Sequence, residues 1–251
     1  MQPTTGAVVG VAGGAGATRL TVEFGAVLAR DGRDVALLDA AYATQGLARH
    51  VEGRIDPDVT AIATGDADGD LDDALAAHPA AADLPGDLAV ASAYAPFERI
   101  ARAKAPEAAR NLAALAAEAA DAFDHVLLDT PPVAANQALA AVDAADRVAL
   151  VYPATDRGVD ALQRTRGRLA DVGASVDLAV ANRTDGDDVP PDADRAVPAS
   201  DATTAVEAPA CLDDADPLAP AVAGAAAALF EADLDVEVGT GLVDAARRRL
   251  R

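Results

Sequence analysis

The stretch Val8–Thr21, VVGVAGGAGATRLT, decides how the chain reads. It begins as a β-branched apolar strand and passes, from about Thr18, into a run of helical period. Between the two, Gly10, Gly13, Gly14 and Gly16 leave the backbone free to curl. A strand that ends in glycines and opens a helix lets successive backbone N–H groups converge on an anion at the helix N-terminus. Glycines at this density also occur in plain turns, so the meaning of the loop depends on what surrounds it.

Outward from the loop, short apolar runs alternate with longer alanine-rich segments. Ala7–Val11, Val35–Leu38, Leu88–Ala91, Val126–Leu128, Val148–Tyr152 and Leu178–Ala181 are apolar on successive residues. That pattern predicts strands covered on both faces. Helical patterns fall at Thr18–Asp31, Pro106–Ala122, Ala134–Ala144, Arg157–Val172 and about Pro217–Glu231. The βαβα rhythm predicts an α/β fold with a single doubly wound, mainly parallel sheet. No repeat or linker divides it, leaving one domain over residues 1–238 and a tail over 239–251. Two acidic stretches, Gly65–Asp73 and Thr184–Asp194, read as loops. A calcium reading of the first fails on spacing. Counted from Asp66, Gly69 falls in the fourth position rather than the sixth, and Ala77 takes the place of the twelfth-position Glu.

Composition bounds the function. The 251 residues carry 41 acidic and 20 basic side chains, a formal charge of -21, yet 51% are hydrophobic. The apolar fraction excludes a disordered acidic chain. The charge argues against a nucleic-acid or anionic-membrane binder that works through its whole surface. Aspartate supplies 33 of the acids, and Lys104 is the only lysine beside 19 arginines. This is the pattern of a surface adapted to very high salt, where the Debye length shrinks to a few ångströms. The start resembles no signal peptide, and no apolar run approaches the roughly 18 residues of a membrane span. Cys211 is the single cysteine. It can form neither an internal disulfide nor a four-ligand zinc site, and it reads as a small buried apolar residue. A cytoplasmic location is expected.

With its surroundings in place, the glycine loop resembles the deviant Walker A loop of the ParA/MinD family of P-loop ATPases, K-G-G-x-G-K-T-[TS]. Gly13, Gly14, Gly16 and Thr18 match, whereas both lysine positions hold alanine, Ala12 and Ala17, and Arg19 replaces the last hydroxyl. Asp39 in VALLDAAYA is similar to the family's LLIDxD segment, with Ala41 at its second Asp. Asp129 in HVLLDTPP looks like the Walker B carboxylate, and Asn182 in AVANRTD like the residue that reads the adenine edge. Val197–Ala199 and Ala208–Pro209 resemble the family's I-P loop and the segment after it. The likeness spans roughly residues 5 to 232. Relatives that carry iron need paired cysteines, and tyrosine kinases of this kind need a tyrosine-rich tail, so both branches are excluded.

The resemblance implies a phosphate site at Gly13, Gly14, Gly16, Ala17, Thr18 and Arg19, an adenine side at Asn182 and Pro198, and magnesium near Thr18, Asp39 and Asp129. It implies ATP and magnesium as cofactors, weakened or lost here, because loop cations neutralise phosphate charge that grows during transfer. Ala12, Ala17 and Ala41 all oppose hydrolysis. The expectation is a degenerate, nearly inactive scaffold or switch in spatial organisation. The alternative is a slow ATPase that recruits Arg19 or a partner's arginine. Arg19 is expected either to bind phosphate or fill the phosphate pocket, or else to meet solvent or an acid such as Asp39. A homodimer or a protein partner is implied, and nucleic acid is not. Gly239–Arg251, GTGLVDAARRRLR, has a small apolar arc and four arginines in its last five residues. It reads either as a weak peripheral membrane contact or as a tail on its own acidic body.

Overall fold

A computed structural model of the chain describes residues 4–185 and 189–234. The tail expected at 239–251, and with it the boundary at 238, lies outside the described residues. Eight strands form one sheet: β1 (Thr4–Gly10), β2 (Val35–Asp39), β3 (Leu75–Ala77), β4 (Leu88–Ala91), β5 (His125–Thr130), β6 (Arg147–Pro153), β7 (Leu178–Thr184) and β8 (Arg195–Pro198). Their order is β3-β4-β2-β5-β1-β6-β7-β8. Every pairing is parallel except β3 with β4.

The strands are apolar on consecutive residues because both faces are covered. Val8 and Leu37 pack on one side against α1 (Ala17–Arg30) and α8 (Leu218–Phe230). Ala7, Val9, Ala36 and Leu38 belong to the other side. That side is covered by α2 (Val59–Thr64), α3 (Leu71–Ala74), α4 (Phe97–Arg102), α5 (Pro106–Ala122), α6 (Asn136–Asp143) and α7 (Asp156–Asp171). Local chemistry sets the helix starts. Pro106 occupies the first turn of α5, where its missing N–H costs nothing. The Thr155 hydroxyl accepts the Gly158 N–H at 3.1 Å to cap α7.

The six expected strands and five expected helices all form, with ends shifted by a few residues; β1, for example, spans Thr4–Gly10 rather than Ala7–Val11. Two strands were not anticipated, and both lie at the sheet's edges. β3 is three residues long, and β8 ends in Pro198, which an edge tolerates. Neither carries the long apolar run that marks a strand buried on both sides. The acidic stretch at 65–73 is not wholly loop, since α3 begins at Leu71. Asp66 there pairs with Arg99 at 3.1 Å and with Arg102, an ion-pair role.

The first helix crosses the sheet from its centre. β1 lies between β5 and β6, so the chain winds outward in both directions from it. Ligands in open α/β sheets bind where that reversal opens a crevice beyond the strands' carboxyl ends. The glycine loop between β1 and α1 occupies this place.

Phe230, at the end of α8, is 7% exposed and its ring centroid lies 4.6 Å from that of His125. Phe230→Ala is expected to destabilise the protein by about 3–5 kcal/mol, the usual range for emptying a buried aromatic site. The denaturant midpoint measures it.

Candidate functional site

The loop Val11–Gly16 turns the chain from β1 into α1. Gly14 and Gly16 take the left-handed backbone, with φ of 77° and 94°. At Gly16 a Cβ would stand 2.2 Å from Asn182 Nδ2, so sterics as well as conformation demand glycine. Above Gly13 and Gly14 a Cβ would meet nothing within 4 Å, which leaves the loop's outer side open. The Leu20 N–H closes the first helical bond onto the Gly16 carbonyl at 3.0 Å. Those of Ala17, Thr18 and Arg19 therefore have no acceptor inside the helix. The loop forms the floor of a cleft of about 840 Å³, whose walls include Thr18, Arg49, Asp129, Asn182, Arg183 and Pro198.

Three oxygen-bearing residues meet at one end of the loop. The Thr18 hydroxyl donates to Asp129 Oδ2 at 2.6 Å. Asp39 and Asp129 are register partners at the ends of β2 and β5. Asp129 lines the cleft, but Asp39 is fully buried behind it. Asp39 accepts the Ala41 N–H at 2.8 Å and the Ala93 N–H at 3.4 Å. Burial, and after it the charge of Asp129, pushes Asp39 well above the usual carboxylate range. Burial pushes Asp129 up to about 7, while the Thr18 hydrogen bond pulls it down. Oxygen donors of this kind suit a hard divalent cation. Thr18 and Asp129 fit that role directly, and Asp39 fits it from behind.

On the opposite wall, Asn182 donates from Nδ2 to the Ala15 carbonyl at 2.9 Å, and its Oδ1 accepts the Arg183 N–H at 3.0 Å. The amide thus holds the phosphate-loop backbone and borders the space expected for a base. Pro198 lines the same wall from the end of β8, and the cis bond Ala208–Pro209 follows. Ala17 is the first residue of α1 and also lines the cleft.

Arg19 corrects an expectation. The acid it meets is Glu23, not Asp39. Nε donates to Glu23 at 2.5 Å, one helical turn on, and Nη1 to the Ala202 carbonyl at 2.8 Å. Glu23 is fully buried on α1, and helical spacing aims Arg19 toward it and away from the strand ends. Glu23 also accepts the N–H groups of Ala210 and Cys211, at 2.9 and 2.8 Å. The arginine and the glutamate thereby fasten the 202–211 segment to α1. Cys211 is buried there as expected, its thiol donating to the Glu23 carbonyl at 3.3 Å.

Sequence reasoning missed three basic residues of the cleft wall: Arg49, His50 and Arg183. His50 stacks on His78 with ring centroids 6.1 Å apart, and burial pushes it down to about 4, so it is neutral at neutral pH. Arg49 and His50 end a 3-10 turn, Leu47–His50, that no periodicity announces. Gly46, just before this turn, lies so close to Thr18 that a Cβ would fall 2.7 Å from Thr18 Cγ2. Arg183 follows Asn182, and simple strand alternation would send it to the other face.

No family model matches the sequence, and no curated protein does. Solved structures do. The cell-division ATPase MinD of Pyrococcus furiosus aligns with 20% identity over 92% of this chain and 99% of its own, with a TM-score of 0.72. The septum site-determining protein MinD of Pyrococcus horikoshii, solved with Mg-ADP, aligns with 17% identity over 95% of this chain and 99% of its own, at 0.73. The MinC–MinD complex of Aquifex aeolicus matches with 20% identity over 93% and 98%, at 0.75. The fold is that of MinD. Identities this low carry the architecture alone.

Two outcomes follow from the site. A carboxyl raised above its unfolded value binds its proton more tightly when folded, so its contribution is full below about pH 4 and is lost as pH rises through about 7. In metal-free buffer the wild type is therefore expected to lose on the order of 4 kcal/mol relative to Asp129→Asn between pH 4 and 8. Paired denaturation curves across that range measure it. Gly16→Ala is expected to cost roughly 2–3 kcal/mol, from the left-handed backbone and the displaced Asn182 contact. Chemical denaturation in molar KCl tests that figure.

Proposed function

We propose that this chain is a MinD-like nucleotide-binding scaffold or switch that holds ATP with magnesium weakly and hydrolyses it little or not at all. One observation carries the reading. The loop, Thr18, Asp129 and Asn182 keep a nucleotide-type cleft, while both lysine positions of the loop hold alanine. Magnesium, when bound, would supply positive charge to the phosphate oxygens. Thr18 and Asp129 would hold it, and Asp39 would support Asp129 from behind. Losing one preorganised charge-stabilising donor typically costs about a hundred- to a thousandfold in rate. Two are absent here, along with the second acid of the strand-end segment at Ala41.

The alternative, a slow ATPase using Arg19 in place of the lysine, is weakened by the partners of Arg19. Its Nε and Nη1 are engaged by Glu23 and the Ala202 carbonyl, and Nη2 is buried without a partner among the described residues. Work in cell division or cargo positioning rests on the likeness to MinD, as does action through a homodimer or a protein partner. Among the described residues no helix is long and apolar enough to cross a membrane. Peripheral contact through 239–251, and a cytoplasmic setting, belong to the same proposal.

The test joins a binding titration to a phosphate-release assay in molar KCl. Saturable Mg-ATP binding that weakens in Asp129→Ala is expected, with phosphate release equal in the two proteins. Turnover that Asp129→Ala abolishes would establish the slow ATPase. The absence of any ATP binding by the wild type would refute a nucleotide site.

A further inference from the structure

The cleft floor from Ala12 to Thr18 reads AGGAGAT and carries no cation. A polyphosphate bound there needs positive charge from elsewhere, because its own charges repel one another in a partly desolvated site. Of the basic residues on the walls, His50 is neutral and Arg19 is tied to Glu23 and Ala202. The Arg49 side chain is exposed and makes no hydrogen bond or ion pair among the described residues. Arg183 is the arginine that touches the loop, with Nη1 donating to the Gly14 carbonyl at 3.2 Å.

Its position is built by an irregularity in the sheet. β7 and β8 pair in step through Asn182 and Val197, and then the register jumps to Thr184 opposite Pro198. Arg183 is the extra residue of this bulge, and its φ is 60°, an uncommon conformation for a side-chain-bearing residue. In a regular strand, Asn182 and Arg183 would project to opposite faces. The bulge brings both to the glycine loop, Asn182 on the Ala15 carbonyl and Arg183 on the Gly14 carbonyl. Strained backbone of this sort persists where the surroundings hold it, often at ligand sites. The guanidinium has five N–H donors in a planar fork suited to phosphate oxygens, and the side chain is exposed at the cleft rim.

We infer that Arg183 is the phosphate-binding cation of this cleft, placed over the glycine loop by the β7 bulge and acting within the same chain. The ligand class is a nucleoside polyphosphate, so the inference rests on the proposed nucleotide site. It goes further in assigning the charge to a residue outside the loop.

The test uses the full chain in molar KCl, titrated with Mg-ATP. Arg183→Gly removes the guanidinium and accepts the left-handed backbone, so its unliganded denaturation midpoint should equal or exceed that of the wild type. Its Mg-ATP affinity should fall about ten- to a hundredfold, the loss of a charge-assisted contact. Arg183→Lys should keep affinity within a few fold of wild type. Unchanged affinity in Arg183→Gly, with the wild type binding well, would overturn the role of Arg183 and leave the nucleotide site standing. An equal loss in Arg183→Lys would also overturn it, since charge would then not be the cause. A wild type that binds no Mg-ATP would remove the nucleotide site and this inference together.

Discussion

The contact between the Thr18 hydroxyl and the Asp129 carboxylate, 2.6 Å long, joins the start of the first helix to a central strand. Around it the cleft takes its shape. Asp129 is fixed beside Asp39 by the register of two parallel strands. Thr18 is fixed by the glycine loop before it and by Gly46 packed against its side chain. A hydroxyl donor relieves part of the cost of burying a carboxylate, but Asp129 remains raised because burial outweighs that one bond. Burial thus disfavours the ionised form of both carboxyls, a bias that a bound cation would reverse.

Charge is arranged differently on the other side of α1. The molecule carries a formal charge of -21, most of it scattered aspartate. Glu23 is an exception, fully buried and saturated by Arg19 and two backbone N–H groups. Losing one partner of a buried pair is costly because the remaining charge stays uncompensated. Arg19 thus serves the architecture of the 202–211 segment, although in sequence it stands directly beside the phosphate loop. The charge that faces the loop comes from Arg183, far along the chain and displaced by a bulge.

The central strands and the long helices were legible because burial on both faces leaves an unmistakable apolar run. β3 and β8 were not, since edge strands are short and need no such run. The site divides in the same way. Gly13, Gly14, Gly16, Thr18 and Asp129 follow from a local pattern, as backbone conformation and strand ends are encoded within a few residues. Asp39 was placed at the correct strand end, but its retreat behind Asp129 depends on the packing of the turns after β2 and β4. Arg49 and His50 reach the cleft through a turn that no periodicity predicts.

By itself the sequence determined the alternating architecture, the glycine loop at the first strand–helix junction and the absence of lysine from it. These follow from hydrophobic period and from the identity of single residues. Only the tertiary structure decided which arginine serves which role. Ion-pair geometry turns Arg19 toward Glu23, and a register jump between β7 and β8 turns Arg183 onto Gly14. Helical spacing allows the first pairing, but the burial of Glu23 under the 202–211 segment and the reach of Arg183 to Gly14 depend on residues far apart in the chain, where local pattern carries no information about direction.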